Sequence, residues 1–132
     1  MEVKIALIQQ NASHDVQSNI NKGVEAVKAA AESGAKIIYF AELAFTRFYP
    51  QEKSKDDHLT LAEPIPGPIT NAFSNAAKER GVVIILNLYE LDGDKAYDSS
   101  PVINSDGNLL GTTRMIHITD YSCFHEKEYY EP

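Results

Sequence analysis

Glu42 is the residue of this chain best placed to do chemistry. It follows the apolar run Ile37-Ile38-Tyr39-Phe40 and is the only acid in the segment Glu42-Leu-Ala-Phe-Thr-Arg-Phe-Tyr-Pro50. Such a run reads as a strand buried on both faces, and open α/β sheets take their ligands beyond the carboxyl ends of such strands. A carboxylate there can serve as a general base; equally, a loop acid after a strand can cap a helix or face water. The other reactive residue types are less well placed. Cys123, the single cysteine, lies in Asp120-Tyr121-Ser122-Cys123-Phe124-His125 with no strand end or elbow to present it, so an ordinary loop thiol is expected. The four histidines, His14, His58, His117 and His125, lack the i, i+4 or Cys-x-x-Cys spacing of metal sites, and no metal is expected. With no Gly-x-Gly-x-x-Gly and no Walker-type lysine loop, the sequence implies no cofactor.

The bulk properties narrow the partners. With 132 residues, 43% of them hydrophobic, the chain has the size and apolar fraction of one globular domain, residues 1–132. A net charge of −7 without any basic patch disfavours nucleic acid and anionic membrane surfaces. The longest apolar runs, such as Val82-Val83-Ile84-Ile85-Leu86, are too short to span a bilayer, Met1-Glu2-Val3-Lys4 leads into a strand pattern, and a lone cysteine fits a reducing compartment. The chain reads as cytoplasmic.

The elements that must position Glu42 follow from periodicity. Val3 to Gln10 reads as a strand, and Asp15 as the cap of a helix whose apolar face is Val16, Ile20, Val24, Val27 and Ala31 and which ends at Gly34. Lys36 to Phe40 follows as a second strand, and a right-handed crossover makes the two parallel, so the fold class is α/β. Pro50 to Pro68 is a charged, proline-rich surface connection of the length that lids and binding loops have. A second helix is expected from Ile69 to Arg80 and a third buried strand from Val82 to Tyr89. The turn signals Asp92-Gly93-Asp94 and Ser105-Asp106-Gly107-Asn108 predict a hairpin and then a meander, with Lys95 to Asn104 and Leu109 to Ile118 as strands. The sheet is therefore mixed, and 119–132 is an irregular tail without period.

The opening Val3-Lys4-Ile5-Ala6-Leu7-Ile8-Gln9, the helix end Ala-Ala-Glu-Ser-Gly34-Ala, Glu42-Leu43, Asp92-Gly93, Asp106-Gly107, Arg114-Met115-Ile116-His117 and Glu126-Lys127-Glu128-Tyr129-Tyr130-Glu131-Pro132 are each weak as single motifs. In this order, over essentially the whole chain, they resemble the amino-terminal portion of the nitrilase superfamily of carbon-nitrogen hydrolases, nearest its N-carbamoylputrescine amidase and β-ureidopropionase branch. The resemblance implies part of an αββα sandwich, a mixed β-sheet with helices on one face. It also implies a mechanism in which a cysteine attacks an amide or nitrile carbon, a glutamate moves protons and a lysine stabilises the oxyanion; a thiol mostly protonated at neutral pH needs that base. Glu42 matches the family's glutamate. Glu126 matches a second glutamate that positions substrate and lysine, and a solvated loop acid is an equal reading of it.

Two departures bear on activity. The resemblance expects Arg-Lys-x-His, but Met115 follows Arg114 with the spacing to His117 intact; a thioether neither carries charge nor donates a hydrogen bond, and losing one oxyanion donor costs about 10²–10³ in turnover. On a strand Arg114 would face the other way, and Met115 reads plainly as a core filler. The nucleophile's Cys-Tyr-Asp-like stretch is absent. Ala41, Arg47 and Asp98 stand where the family often has proline, glycine and asparagine. The expectation is part of an amidase, N-carbamoyl amine amidohydrolase or nitrilase, inactive alone, with a small amide, N-carbamoyl or nitrile substrate in the complete enzyme; the alternative is a non-catalytic binding or assembly module. Half of a four-layer sandwich leaves an apolar sheet face uncovered, so a homo-oligomer or pairing with a carboxyl-terminal half is expected. A flavodoxin-like binder fits the first strands but not the meander after Asp92.

Overall fold

A computed structural model describes residues 2–132. The elements run β1 (Ile5–Ile8), α1 (Val16–Glu32), β2 (Ile37–Phe40), α2 (Pro68–Arg80), β3 (Val83–Ile85), β4 (Leu88–Asp92), β5 (Lys95–Ile103) and β6 (Leu109–Arg114). Asp15 caps α1 by accepting from the Ser18 amide at 3.0 Å, and Gly81, at φ +63°, ends α2 in the left-handed conformation that glycine adopts without strain. β1, β2 and β3 pair in parallel, while β4, β5 and β6 form an antiparallel meander. The sheet is mixed, as the periodicity and turns predict.

The third strand is not continuous. It breaks at Leu86-Asn87 into β3 and β4, which follow one another along the same edge of β5, with the Leu86 amide bonded to the Pro101 carbonyl at 3.1 Å between them. Sequence periodicity missed the break because both halves are apolar. Strands β1 and β6 are also shorter than expected, at four and six residues.

Both helices cover one face of the sheet. Ile20 and Val27 of α1 and Ile69, Phe73, Ala76 and Ala77 of α2 pack on Ile38, Phe40, Ile84 and Ile103. Phe40, Phe45 and Phe73 form a cluster with ring centroids 4.8–5.2 Å apart. Gly23 lies under it; a Cβ there would come within 2.8 Å of Phe45 and 2.9 Å of Phe73. Val16, read as part of the apolar helix face, is instead 38% exposed.

The expectation that β2 is buried on both faces is corrected. Ile38 and Phe40 are fully buried against the helices, but Tyr39 is 43% exposed and its parallel neighbour Leu7 75% exposed. Cross-strand register puts Leu7, Tyr39, Ile85 and Val102 in one row and Ile5, Ile37 and Val83 in another, both on the face without helices. The sequence pattern of a two-sided strand is there, but this chain supplies a cover for only one side.

Over β4 and β5 that outer face is covered by the chain's own tail. Tyr129 and Tyr130 pack with Leu43, Tyr89 and Ala96; the Tyr89 hydroxyl donates to the Tyr129 carbonyl and the Tyr129 hydroxyl to the Glu52 carbonyl, each at 3.0 Å. Within 119–132 the regular structure is one short 3₁₀ turn, Glu126–Glu128, and one bridge between Tyr121 and Phe124. The Pro50 to Pro68 connection is likewise tied down, Glu63 pairing with β4 through the Tyr89 carbonyl and the Leu91 amide.

Candidate active site

The turn after β2 carries Glu42 and then Leu43, whose φ of +47° is rare for a non-glycine residue. That conformation is held from outside the turn: the Leu43 amide donates to Asn87 Oδ1 at 2.8 Å. Asn87 occupies the break between β3 and β4, so the interruption frees its side chain from the ladder to reach across. Its other end donates from Nδ2 to Asp98 Oδ1 at 2.5 Å. Asp98, on the outer face of β5, is 2% exposed, and its second oxygen, Oδ2, is buried without a partner of its own.

Asn87 thus links the Glu42 turn to Asp98, and the two carboxyls perturb one another. Two carboxyls hydrogen-bond to one another only through a shared proton. Asn87 stabilises the Asp98 anion, while no donor serves Glu42 among the described residues. Burial, then the hydrogen bond to Asp98, then the charges of Asp98 and Glu126 push the Glu42 carboxyl up to about 7, although one side of it is open to solvent. Burial also raises Asp98, against the lowering effect of its bonds to Asn87 and Glu42.

Glu126, in the tail's 3₁₀ turn, is 8% exposed and accepts from the Thr119 hydroxyl at 2.6 Å. Met115 continues β6 by one residue, its amide donating to the Asp98 carbonyl at 2.8 Å, so the register places it beside Asp98 on the outer face. Arg114 lies on the opposite face, bonded to both oxygens of Glu90 at 2.8–2.9 Å and stacked over Tyr97 at 3.7 Å. It cannot serve the acids around Glu42. Among the described residues, no ion pair reaches Glu42, Asp98 or Glu126.

Glu42 also lines a cleft of about 300 Å³ between the end of β1, at Gln10, Asn11 and Ala12, and the loop residues Ala44, Thr46, Arg47 and Phe48. That volume is at the lower end for small-molecule sites. Cys123 is exposed in the tail. Asn87 was not anticipated as part of the site, and Asp98 stood out in the sequence only as an acid where the resemblance expects an amide.

Residues 4–132 match the model of the carbon-nitrogen hydrolase family. The chain belongs to that family. It is 36% identical over 131 residues to an N-carbamoylputrescine amidase of Solanum lycopersicum, covering 98% of this chain and 43% of the relative, and 31% identical to a citrullinase of Francisella tularensis, covering 98% and 46%. Solved structures of family members share the fold. A carbon-nitrogen hydrolase from Helicobacter pylori superposes with a TM-score of 0.90 at 22% identity over 98% of this chain and 45% of that one. A nitrilase-superfamily amidase from Nesterenkonia gives 0.81 at 19% over 98% and 48%. The chain thus spans less than half the length of the curated relatives it matches.

Proposed function

We propose that this chain supplies the proton-transfer part of an amide- or N-carbamoyl-hydrolysing site, with Glu42 as general base, Glu126 as the second, positioning glutamate and Met115 at the position of the family's lysine. The observation that carries the reading is that Glu42, Glu126 and Met115, from three separate segments, are each neighbours of Asp98 on the outer sheet face. A base whose pKa lies near neutrality is matched to removing a proton from a thiol and returning it to a departing amine. The nucleophile belongs to the portion that longer relatives have beyond these residues, since Cys123 sits in an exposed tail loop.

The substrate class is an amide or N-carbamoyl amine, supported by the named activities of the relatives. The partner is the second sheet of the sandwich, in a second copy or in a carboxyl-terminal half, laid against Ile5, Leu7 and Tyr39. The purified chain releases no ammonia from N-carbamoyl amines, ω-amides or nitriles. Turnover that survives Glu42→Gln but disappears in Cys123→Ser overturns this assignment.

Met115 and the missing cation favour a second reading, a binding or assembly module that holds an amide without cleaving it. Binding of an N-carbamoyl amine that persists in a fully assembled complex without hydrolysis, even with Met115→Lys, selects that reading.

A further inference from the structure

Three carboxyls, Glu42, Asp98 and Glu126, converge with no ion pair to any of them among the described residues, Arg47 in the cleft being bonded to His14, and one of them offers an oxygen that is buried and unpartnered, Asp98 Oδ2. Such an oxygen costs stability unless something donates to it. The groups facing it account for the available donors. From the turn after β2 comes Glu42, from the tail Glu126 and Tyr130, and from the Phe48 to Gln51 segment Tyr49. From β4, Tyr89 is the cross-strand neighbour of Asp98, and from the β6 side Met115 brings no charge. Tyr89 donates to the Tyr129 carbonyl; the Tyr49 and Tyr130 hydroxyls pair at 3.0 Å, which uses only one of their protons, but neither lies within hydrogen-bond distance of Oδ2. Arg114 is committed to Glu90 and Asp92 on the other face. Glu42 is the remaining donor.

We propose that Asp98 is a positioning residue for Glu42: the two carboxyls share one proton, with Asp98, fixed by Asn87, as acceptor, and this bond orients the Glu42 side chain, which lines the cleft. The proton takes the neutralising place that a cation does not fill here. Asn87 couples the pair to the backbone, since it holds both Asp98 and the strained Leu43 amide next to Glu42. The proton moves between two carboxyl oxygens and nothing else is consumed. When the pair loses that proton, Glu42 is free to accept one from a nucleophile; while the pair holds it, Glu42 is an acid. Asparagine at 98 would instead donate to an ionised Glu42 and remove the sharing.

This deepens the reading of Glu42 as the base and rests on it for what Glu42 does, but the test reads the proton directly. Carboxyl ¹³C resonances of the labelled chain are followed from about pH 4 to about pH 9. In the unmutated chain Glu42 titrates near 7, and its carboxyl carbon and that of Asp98 each carry both steps of one shared two-step curve. Asp98→Asn lowers the Glu42 midpoint by about one pH unit or more. Independent single-step titrations, or a Glu42 midpoint that does not move in Asp98→Asn, overturn the proposal; if that variant does not fold, the shared curve in the unmutated chain decides alone. A shared curve in a complex that never turns over an amide would refute the base assignment and leave the pair standing.

Discussion

The two faces of this sheet handle charge in opposite ways. On the helix-covered face, Glu90 is 7% exposed and accepts from Arg114 in a bidentate pair and from the Ser99 hydroxyl; the guanidinium holds its carboxyl below the usual carboxylate range. On the outer face, Glu42, Asp98 and Glu126 meet with no ion pair among the described residues, and Glu42 is pushed up to about 7. Adjacent strand residues decide the difference, Arg114 pointing one way and Met115 the other. The paired face is built for stability. The unpaired one keeps a titratable proton near neutrality, which is what catalysis uses and stability does not need.

The same contrast holds for apolar residues, and the largest effect is expected in the helix-covered core. Phe73→Ala removes one ring of the Phe40, Phe45, Phe73 cluster and should cost about 3–5 kcal/mol in urea unfolding, since Phe73 is fully buried. Arg114→Met leaves Glu90 buried and unpaired. About 2–3 kcal/mol is expected in the same measurement, toward the low side for breaking a buried pair because the Arg114 side chain is 36% exposed.

Met115→Lys tests whether a cation alone separates the two faces. It should lower the Glu42 midpoint by about 1–3 pH units and leave Glu90 unchanged in a carboxyl titration. Stability follows with a definite sign. A carboxyl whose folded pKa is raised from 4.5 to about 7 binds its proton more tightly in the folded chain, so its contribution is fully present below about 4.5 and is lost as pH rises through about 7. The fall in Tm across that window should be smaller in Met115→Lys than in the unmutated chain. At the small end, Leu7→Glu on the uncovered face should change the stability of the isolated chain by no more than about 0.5 kcal/mol, because Leu7 is already 75% exposed, and should weaken self-association in sedimentation.

Much of this was legible in the residues. The helix cap at Asp15, the Gly93-Asp94 hairpin and the parallel-then-antiparallel order all rest on local chemistry, and the structure has them. Glu42 was legible because an apolar strand ended at it. Asp98 and Asn87 were not, since their significance lies in a contact across the strand break, 44 residues from Asn87 back to Leu43, which no periodicity encodes. The two-sided burial expected of β2 fails for a different reason: its composition suits a sandwich interior, and the described residues cover one of its two faces.

The most direct test of the central claim measures ammonia release from an N-carbamoyl amine by the chain alone, by the chain mixed with the complementary carboxyl-terminal portion of an N-carbamoylputrescine amidase relative, and by the same mixture with Met115→Lys. The account predicts none from the chain alone and turnover in the mixture that rises by about 10²–10³ with the lysine restored and is abolished by Glu42→Gln. Ammonia from the chain alone, or turnover in the mixture that is indifferent to Glu42→Gln, would contradict it.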